Sequence, residues 1–280
     1  MNNTESLRHI AIVSETARVG FDEVARVSAA LQKQMLRDFS PIWGVQATVD
    51  AFASLDDVPI DYWPILVQDD IGVDGAWGIH KDKDGQPFGL VRYSPTWSLT
   101  ASHEELEMLC DPAGNRLQPG KSPMPGQGRV RFLVEVCDPS EAHAFAYPVN
   151  GITVSDFYTP RYFDPVTAPG TRYSFTGAIT EPRQVLPGGY LSWHDTESDH
   201  WFQKIHFGSE PEFRDLGQLS DARESIRSQI YARTPEASKL KAPGQQATLT
   251  ASAVQREVAT ASRAKVHVLR AQIDALLRKK

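Results

Sequence analysis

The stretch TASHEELEMLCDP, residues 100–112, decides the fold because its pattern of polar and apolar residues defines one central helix. We predict a helix over 95–110, with Ser94 as its N-cap and a proline at its first position. Asp111 precedes a proline and therefore avoids the α region, so the helix ends there.

One polar stripe runs along this helix. At about 100° per residue it contains Thr100, His103, Glu104, Glu107 and Asp111. Apolar residues flank the stripe on both sides, which predicts a mostly buried helix. His103 and Glu107 lie one turn apart and can present a nitrogen and a carboxylate to one cation. The plainer interpretation is a solvated face, on which these two residues form an ordinary pair that contributes about 0.2–0.5 kcal/mol.

The chain before this helix alternates strands with one long helix. Short apolar runs rich in β-branched residues predict strands, and apolar residues at helical spacing predict the helix. A Gly-rich turn then leads into GIHKDKDGQPFGLVRYS (78–94), which predicts a hairpin or an irregular edge strand. Within it, GQPFGLVRYS (85–94) has the right position for an edge strand. The predicted strands are 9–16, 45–54 and 63–71, and the predicted long helix is 20–44.

A second group of strands follows the central helix. RVRFLVEVCDP, residues 129–139, predicts a strand with alternating faces that carries Glu135 and ends near Asp138. Residues 151–165 predict a strand that runs into an aromatic loop, and 171–207 predict short strands and turns. Strands that precede and follow a central helix indicate an α+β fold.

The segments HEELEMLCDP and EVCDP together resemble a divergent zincin-like group of metallopeptidases. In that group His-Glu-x-x-Glu is followed by an Asp-Pro helix stop, and a later strand carries Glu-Val-x-Asp or its isoleucine counterpart. The resemblance covers roughly 9–165. It implies a mixed sheet that supports an active-site helix, with an edge strand that binds the substrate backbone. The common zincin pattern has a second histidine where this chain has Glu107.

The same resemblance implies one divalent metal ion, with zinc as the expected metal. His103 and Glu107 would be ligands, and Glu104 would be the general base of a peptidase. Two carboxylates and one histidine make a harder site than two histidines and one carboxylate, so Mn²⁺ or Fe²⁺ should also be accepted. The candidates for the third ligand are Glu135 and Asp138, followed by Cys137 and Asp111.

Charge and composition exclude several classes of protein. The 280 residues carry a formal charge of −6, which argues against nucleic acid as a partner. No apolar run approaches the roughly 20 residues of a membrane span, and no signal peptide is visible. We expect a soluble cytoplasmic protein, although export by a specialised route stays open. Cys110 and Cys137 are too few for a disulfide scaffold, and their redox state stays open as well.

The composition changes after about residue 208, where the chain becomes polar and charged. We predict a metallopeptidase-like domain over 1–207, a polar linker over 208–245 and a C-terminal helix over 246–280. Apolar residues at helical spacing in the last segment indicate that it packs back, self-associates or holds an assembly partner.

Two classes of function follow. The first is a zinc-dependent peptidase that acts on a peptide or protein substrate. The second is a non-catalytic zincin-fold protein, structural or binding, which the C-terminal helix docks into a larger assembly. The metal content of the purified protein separates the two.

Overall fold

In the computed structural model, which describes residues 7–73, 76–221 and 223–234, the N-terminal half forms a five-stranded sheet. The strand order is β2-β1-β3-β5-β4, and all neighbours are parallel except β4, which runs antiparallel to β5. The three strands predicted at the start of the chain are confirmed. The strands are β1 (Arg8–Ser14), β2 (Ala47–Phe52), β3 (Tyr62–Gln68), β4 (Gly78–Lys83) and β5 (Gln86–Arg92).

The predicted assignment of 85–94 as the edge strand is wrong, because β5 has a neighbour on each side. The edge is β4. Asp84 and Gly85 connect the two strands with φ of 57° and 84°. Positive φ at both central residues is typical of the two-residue turn that matches the twist of a hairpin. The Asp-Gly pair therefore folds β4 back along the outer side of β5.

Two longer helices pack against this sheet. The first, α1 (Phe21–Gln34), contacts β1 and β2 and continues through a π-helical turn into the short helix α2 (Ser40–Trp43). Gly44, with a φ of 70°, ends this segment, so the predicted helix over 20–44 is confirmed with one irregular turn. The predicted central helix is α3 (Trp97–Cys110), and it contacts β3, β4 and β5.

The second half of the chain forms an antiparallel sheet of order β12-β11-β10-β7-β6 and a hairpin of β8 and β9. The helix α3 also contacts β9, so it is covered on the side away from the first sheet. The strands are β6 (Leu117–Lys121), β7 (Arg129–Leu133), β8 (Tyr147–Val149), β9 (Ile152–Val154), β10 (Tyr190–Asp195), β11 (His200–Ile205) and β12 (Glu212–Gly217).

Most of the polar stripe of α3 is buried. Glu104, Glu105 and Glu107 have no exposed surface, although the plainer interpretation of the sequence placed the stripe in solvent. That interpretation is wrong because α3 is covered on several sides, which a helical pattern alone does not reveal. The helix also begins later than predicted. Ser94 lies before it and its hydroxyl accepts a hydrogen bond from the N–H of Thr96.

The predicted linker is wrong over 208–234. The strand β12 pairs with β11, and a further short helix, α4 (Ile226–Tyr231), buries Ile230 against Leu133 and Trp201. The polar composition reflects a sheet edge and a helix with one buried side. Residues 235–245 and the predicted helix over 246–280 lie outside the described residues.

Among the described residues the architecture is mixed, with two five-stranded sheets, one two-stranded sheet and few helices, which is broadly compatible with the predicted α+β class. Within the described ranges, none of the helices combines the length and the apolar composition needed to cross a bilayer.

Candidate metal centre

The edge strand β4 approaches α3 closely at Gly78. A Cβ at this position would overlap the Glu104 side chain and lie 2.5 Å from Cγ2 of Thr100. Only glycine fits such an approach of backbone to side chain. The sequence at Gly78 therefore brings the sheet edge into contact with the glutamate that follows His103.

The central contact of the site joins α3 to the turn after β7. Nε2 of His103 lies 3.2 Å from Oε2 of Glu107 and 3.3 Å from Oδ1 of Asp138. All three side chains are buried. Glu107 is one helical turn from His103, as the sequence predicts, whereas Asp138 comes from a separate segment. One imidazole nitrogen thus faces two carboxylate oxygens.

These distances suit a small divalent ion. Protein ligands bind zinc tetrahedrally at about 2.0–2.2 Å, which places neighbouring ligand atoms about 3.3–3.5 Å apart. The pairs His103–Glu107 and His103–Asp138 lie at or close to this range. Buried groupings of histidine, glutamate, aspartate and cysteine can hold a metal ion here, and the residues present fit one.

A tight turn places Asp138. The residues Asp138–Ser140 form a 3-10 turn, and a Cβ at Gly189 would lie 2.6 Å from the carbonyl oxygens of Asp138 and Pro139. The turn also brings in Glu141, whose carboxyl lies within 4.8 Å of ligand atoms of His103 and Asp138. Glu141 was not identified from the sequence, although the i,i+3 spacing with Asp138 is a usable signal in such a turn.

The other candidates for the third ligand have different partners. Oε2 of Glu135 accepts a hydrogen bond of 2.7 Å from Arg227, although its carboxyl stays within 4.8 Å of ligand atoms of Glu107 and Asp138. Glu135 also follows β7, which ends at Leu133, so the predicted strand-borne position is wrong.

Asp111 and Cys137 have structural roles. The Asp111 carboxylate accepts hydrogen bonds from the N–H groups of Asn115 and Arg116 and so holds the turn after α3. The N–H of Cys137 donates to Oε1 of Glu107 at 3.1 Å. Burial raises the pKa of the Cys137 thiol well above its ordinary value, and the Glu107 charge adds to the rise. The sulfur also lies within 4.8 Å of ligand atoms of His103 and Glu107, and a metal ion would deprotonate a thiol that it binds. Cys110 and Cys137 are both buried free thiols.

His80 on β4 is buried, although it stands in a charged stretch of the sequence. Nε2 lies 3.1 Å from the carbonyl oxygen of Asp111, which can only accept, so Nε2 carries a proton. Nδ1 lies 3.3 Å from Oε2 of Glu104. His80 therefore connects the end of α3 with the Glu104 carboxylate.

Arg227 on α4 enters the cluster of carboxylates. Its Nε donates to Oε2 of Glu135 at 2.7 Å, and Nη2 donates to Oε2 of Glu107 at 3.0 Å and to Oε2 of Glu104 at 3.2 Å. The guanidinium is buried. Removing one partner of such a buried ion pair typically costs about 3–5 kcal/mol, because it leaves a charge without compensation.

The arrangement is strongly anionic. Five buried carboxyl groups, those of Glu104, Glu107, Glu135, Asp138 and Glu141, surround one guanidinium and two imidazoles. Burial opposes the charge of Arg227, but the carboxylates outweigh it and raise its pKa well above the ordinary value.

The pKa values of two glutamates in the site are shifted in opposite directions. Burial alone would raise the pKa of Glu107, but His103 and Arg227 hold it well below its ordinary value. Burial raises the pKa of Glu135 well above its ordinary value, and the Glu107 and Asp138 charges raise it further although Arg227 opposes them. Glu107 is therefore the more acidic of the two carboxyl groups.

His80 and Arg227 are the functional residues that the sequence did not indicate. His80 stands in the charged segment HKDKDG, and Arg227 stands in a polar stretch with several other arginines. Both reach the site through tertiary contacts alone. Comparison with protein-family models, with curated proteins and with solved structures finds no match for this chain.

Proposed function

We propose that the protein is a metal-dependent hydrolase of peptide or protein substrates, with His103, Glu107 and Asp138 as ligands of one zinc ion. The observation that carries the proposal is the approach of one His103 nitrogen to two carboxylates at 3.2 and 3.3 Å in a buried site. A bound divalent ion would supply Lewis acidity and a more acidic water molecule. The surplus of carboxylates also favours acceptance of Mn²⁺ or Fe²⁺.

Glu104 is the proposed general base. It follows the first ligand on α3, and its Oε2 lies 3.3 Å from Nδ1 of His80. As a carboxylate it can take a proton from the attacking water and return it to the leaving amine. His80 lies beside it, and the Asp111 carbonyl holds the other nitrogen of the His80 ring.

The edge strand β4 is the proposed position for the substrate backbone. It contributes Gly78 and His80 next to Glu104 and has β5 along one side. Within the described sheet its other edge is unpaired, so an extended peptide can add there as a further strand. The element order up to α3 and this antiparallel edge support the zincin resemblance.

One observation favours the alternative, a non-catalytic zincin-fold protein. Arg227 donates to the proposed base Glu104 and to the proposed ligand Glu107. A buried guanidinium can neutralise these carboxylates in place of a metal ion. In this alternative the site is structural, and residues 246–280 would hold the assembly partner.

The deciding experiment compares Glu104→Gln with Glu107→Gln. Elemental analysis of the wild type should find about one divalent ion per chain. Glu104→Gln should keep the ion, while peptidase activity falls by roughly 10²–10⁴-fold, the usual contribution of a positioned base. Glu107→Gln should lose metal affinity first.

Each other result has a defined meaning. A wild type that binds metal but hydrolyses no peptide supports the non-catalytic alternative. A wild type without metal, whose melting temperature does not rise with added Zn²⁺, contradicts the metal site itself. An active wild type with unimpaired Glu104→Gln contradicts the assigned base.

A further inference from the structure

Arg227 and His103 face the same oxygen atom of Glu107. Oε2 lies 3.2 Å from Nε2 of His103 and 3.0 Å from Nη2 of Arg227. An ion bound between His103 and Glu107 would use this oxygen. A divalent cation and a guanidinium also repel each other at such short range in a buried site. The metal ion and the Arg227 guanidinium therefore cannot bind the Glu107 carboxylate at the same time in its present arrangement.

The same guanidinium also donates a hydrogen bond to Glu104, the proposed base. Nη2 of Arg227 donates to Oε2 of Glu104 at 3.2 Å, on the oxygen that also faces His80. A carboxylate paired with a buried arginine is a weaker proton acceptor, because the cation stabilises its charged form. In the described arrangement Arg227 therefore opposes both metal binding and base catalysis.

The segment that carries Arg227 is held by a mixture of polar and apolar contacts. The N–H of Arg227 donates to the carbonyl of Gly114 at 3.0 Å, and the N–H of Ile226 donates to Oδ1 of Asn115 at 2.9 Å. The helix α4 has six residues, of which Ile226 and Ile230 pack in one apolar cluster and Tyr231 packs against another. The buried ion pairs of Arg227 are the strongest of these contacts, and a metal ion at Glu107 would compete with them directly.

Space for movement lies next to α4. A cavity of about 640 Å³ runs between this helix and the edge strand β4. Its lining includes Ile79 and Lys81 of β4 and the side of α4 that carries Arg227 and Tyr231. Arg227 thus lines this cavity and also contacts the carboxylate cluster.

We infer that Arg227 competes with the metal ion for Glu107, and that α4 must move away before the metal site is free. The inference rests on the proposed metal-dependent function. Occupation of the metal site and seating of Arg227 are mutually exclusive at Glu107. Because such coupling is reciprocal, a bound ion should loosen α4, and loss of Arg227 should raise metal affinity by a comparable factor.

The test measures Zn²⁺ and Mn²⁺ affinity of the full chain by competition with a chelator, for the wild type, Arg227→Met, Arg227→Lys and Arg233→Met. Arg233 lines the same cavity and its Nη1 bonds to the Gln229 carbonyl. We expect Arg227→Met to bind at least about 10-fold more tightly, within the usual range of site coupling. Arg227→Lys keeps the positive charge but loses the planar guanidinium group, so its metal affinity should lie between those of the wild type and Arg227→Met. The metal affinity of Arg233→Met should match that of the wild type.

Amide hydrogen exchange of residues 226–231 is the second measurement, and it needs only the wild type. Added metal should speed exchange in α4 and leave α1 unchanged. This measurement decides the question if Arg227→Met does not fold. If the wild type binds metal and the exchange of α4 does not change, the proposed competition by Arg227 is contradicted, and the proposed metal site is not. Equal affinity of folded Arg227→Met and wild type does the same. If neither the wild type nor Arg227→Met binds Zn²⁺ or Mn²⁺, both the proposed competition and the proposed function are contradicted.

Discussion

Nη2 of Arg227 lies 3.0 Å from Oε2 of Glu107, although the two residues are 120 positions apart in the sequence. The carboxylate that a histidine one turn away would share with a metal ion is thus already in a charge-assisted hydrogen bond. Such bonds are roughly twice as strong as neutral ones. Glu107 therefore connects the short motif on α3 with the segment after the second sheet.

The close approach at Gly78 predicts a large effect of a single methyl group. Gly78→Ala should destabilise the protein by about 1–3 kcal/mol, because the new Cβ must displace Glu104 or β4. Chemical denaturation measures this difference. Gly128→Ala is the matched control, since a Cβ there would meet nothing within 4 Å. Equal stability of the two variants would contradict the contact between β4 and α3.

Glu105 predicts a pH dependence of stability. Burial raises its pKa from 4.5 to about 8, and among the described residues neither carboxyl oxygen has a hydrogen-bond partner. The folded protein keeps this group protonated at neutral pH, whereas the unfolded chain ionises it. The free energy of unfolding should therefore fall as pH rises from about 4.5 to 8, by up to about 1.4 kcal/mol per unit.

The measurement for Glu105 is a set of urea denaturations at pH 5, 6, 7 and 8. Glu105→Gln cannot ionise and should lose this part of the dependence, so its advantage over the wild type grows with pH. Parallel curves for the two proteins would show that the carboxyl is not held in its neutral form.

The two aspartates named as third-ligand candidates should behave differently. Asp138→Asn should weaken metal binding by at least about 10-fold, because Asp138 faces the His103 nitrogen. Asp111→Asn should leave metal affinity nearly unchanged and lower stability, because its carboxylate holds the N–H groups of Asn115 and Arg116. Chelator competition and thermal unfolding give the two readouts. The reverse order would assign the ligand role to Asp111.

Deletion of residues 246–280 should change association more than stability. The prediction rests on the Ala-, Arg- and Lys-rich composition of this segment and on its apolar residues at helical spacing. A chain that ends at residue 245 keeps α4 and the hydrogen bond from the Thr234 hydroxyl to Gln203. Light scattering and circular dichroism are the measurements. An insoluble or molten truncated chain would show that the segment belongs to the core.

Much of the first sheet and the central helix follow from local sequence. Alternation and helical periodicity identify β1, β2, β3, α1 and α3, because each element forms its own backbone pattern and repeats at a fixed period. The distance from His103 to Glu107 follows from the pitch of one helix. The approach of Asp138 was expected only from the family resemblance, which linked its segment to the helix.

Tertiary structure alone decided the burial of α3, the edge position of β4, and the entry of His80 and Arg227 into the cluster. The sequence pattern of the polar stripe of α3 would equally suit a solvent-exposed face, and only the packing of other elements against the helix buries it. Arg227 sits in a polar segment that resembles a linker, and nothing local separates it from exposed arginines. Its charge is stabilised there because the folded chain gathers carboxylates from α3 and from the turn after β7. Local periodicity specifies which elements form, whereas long-range packing specifies which charges meet.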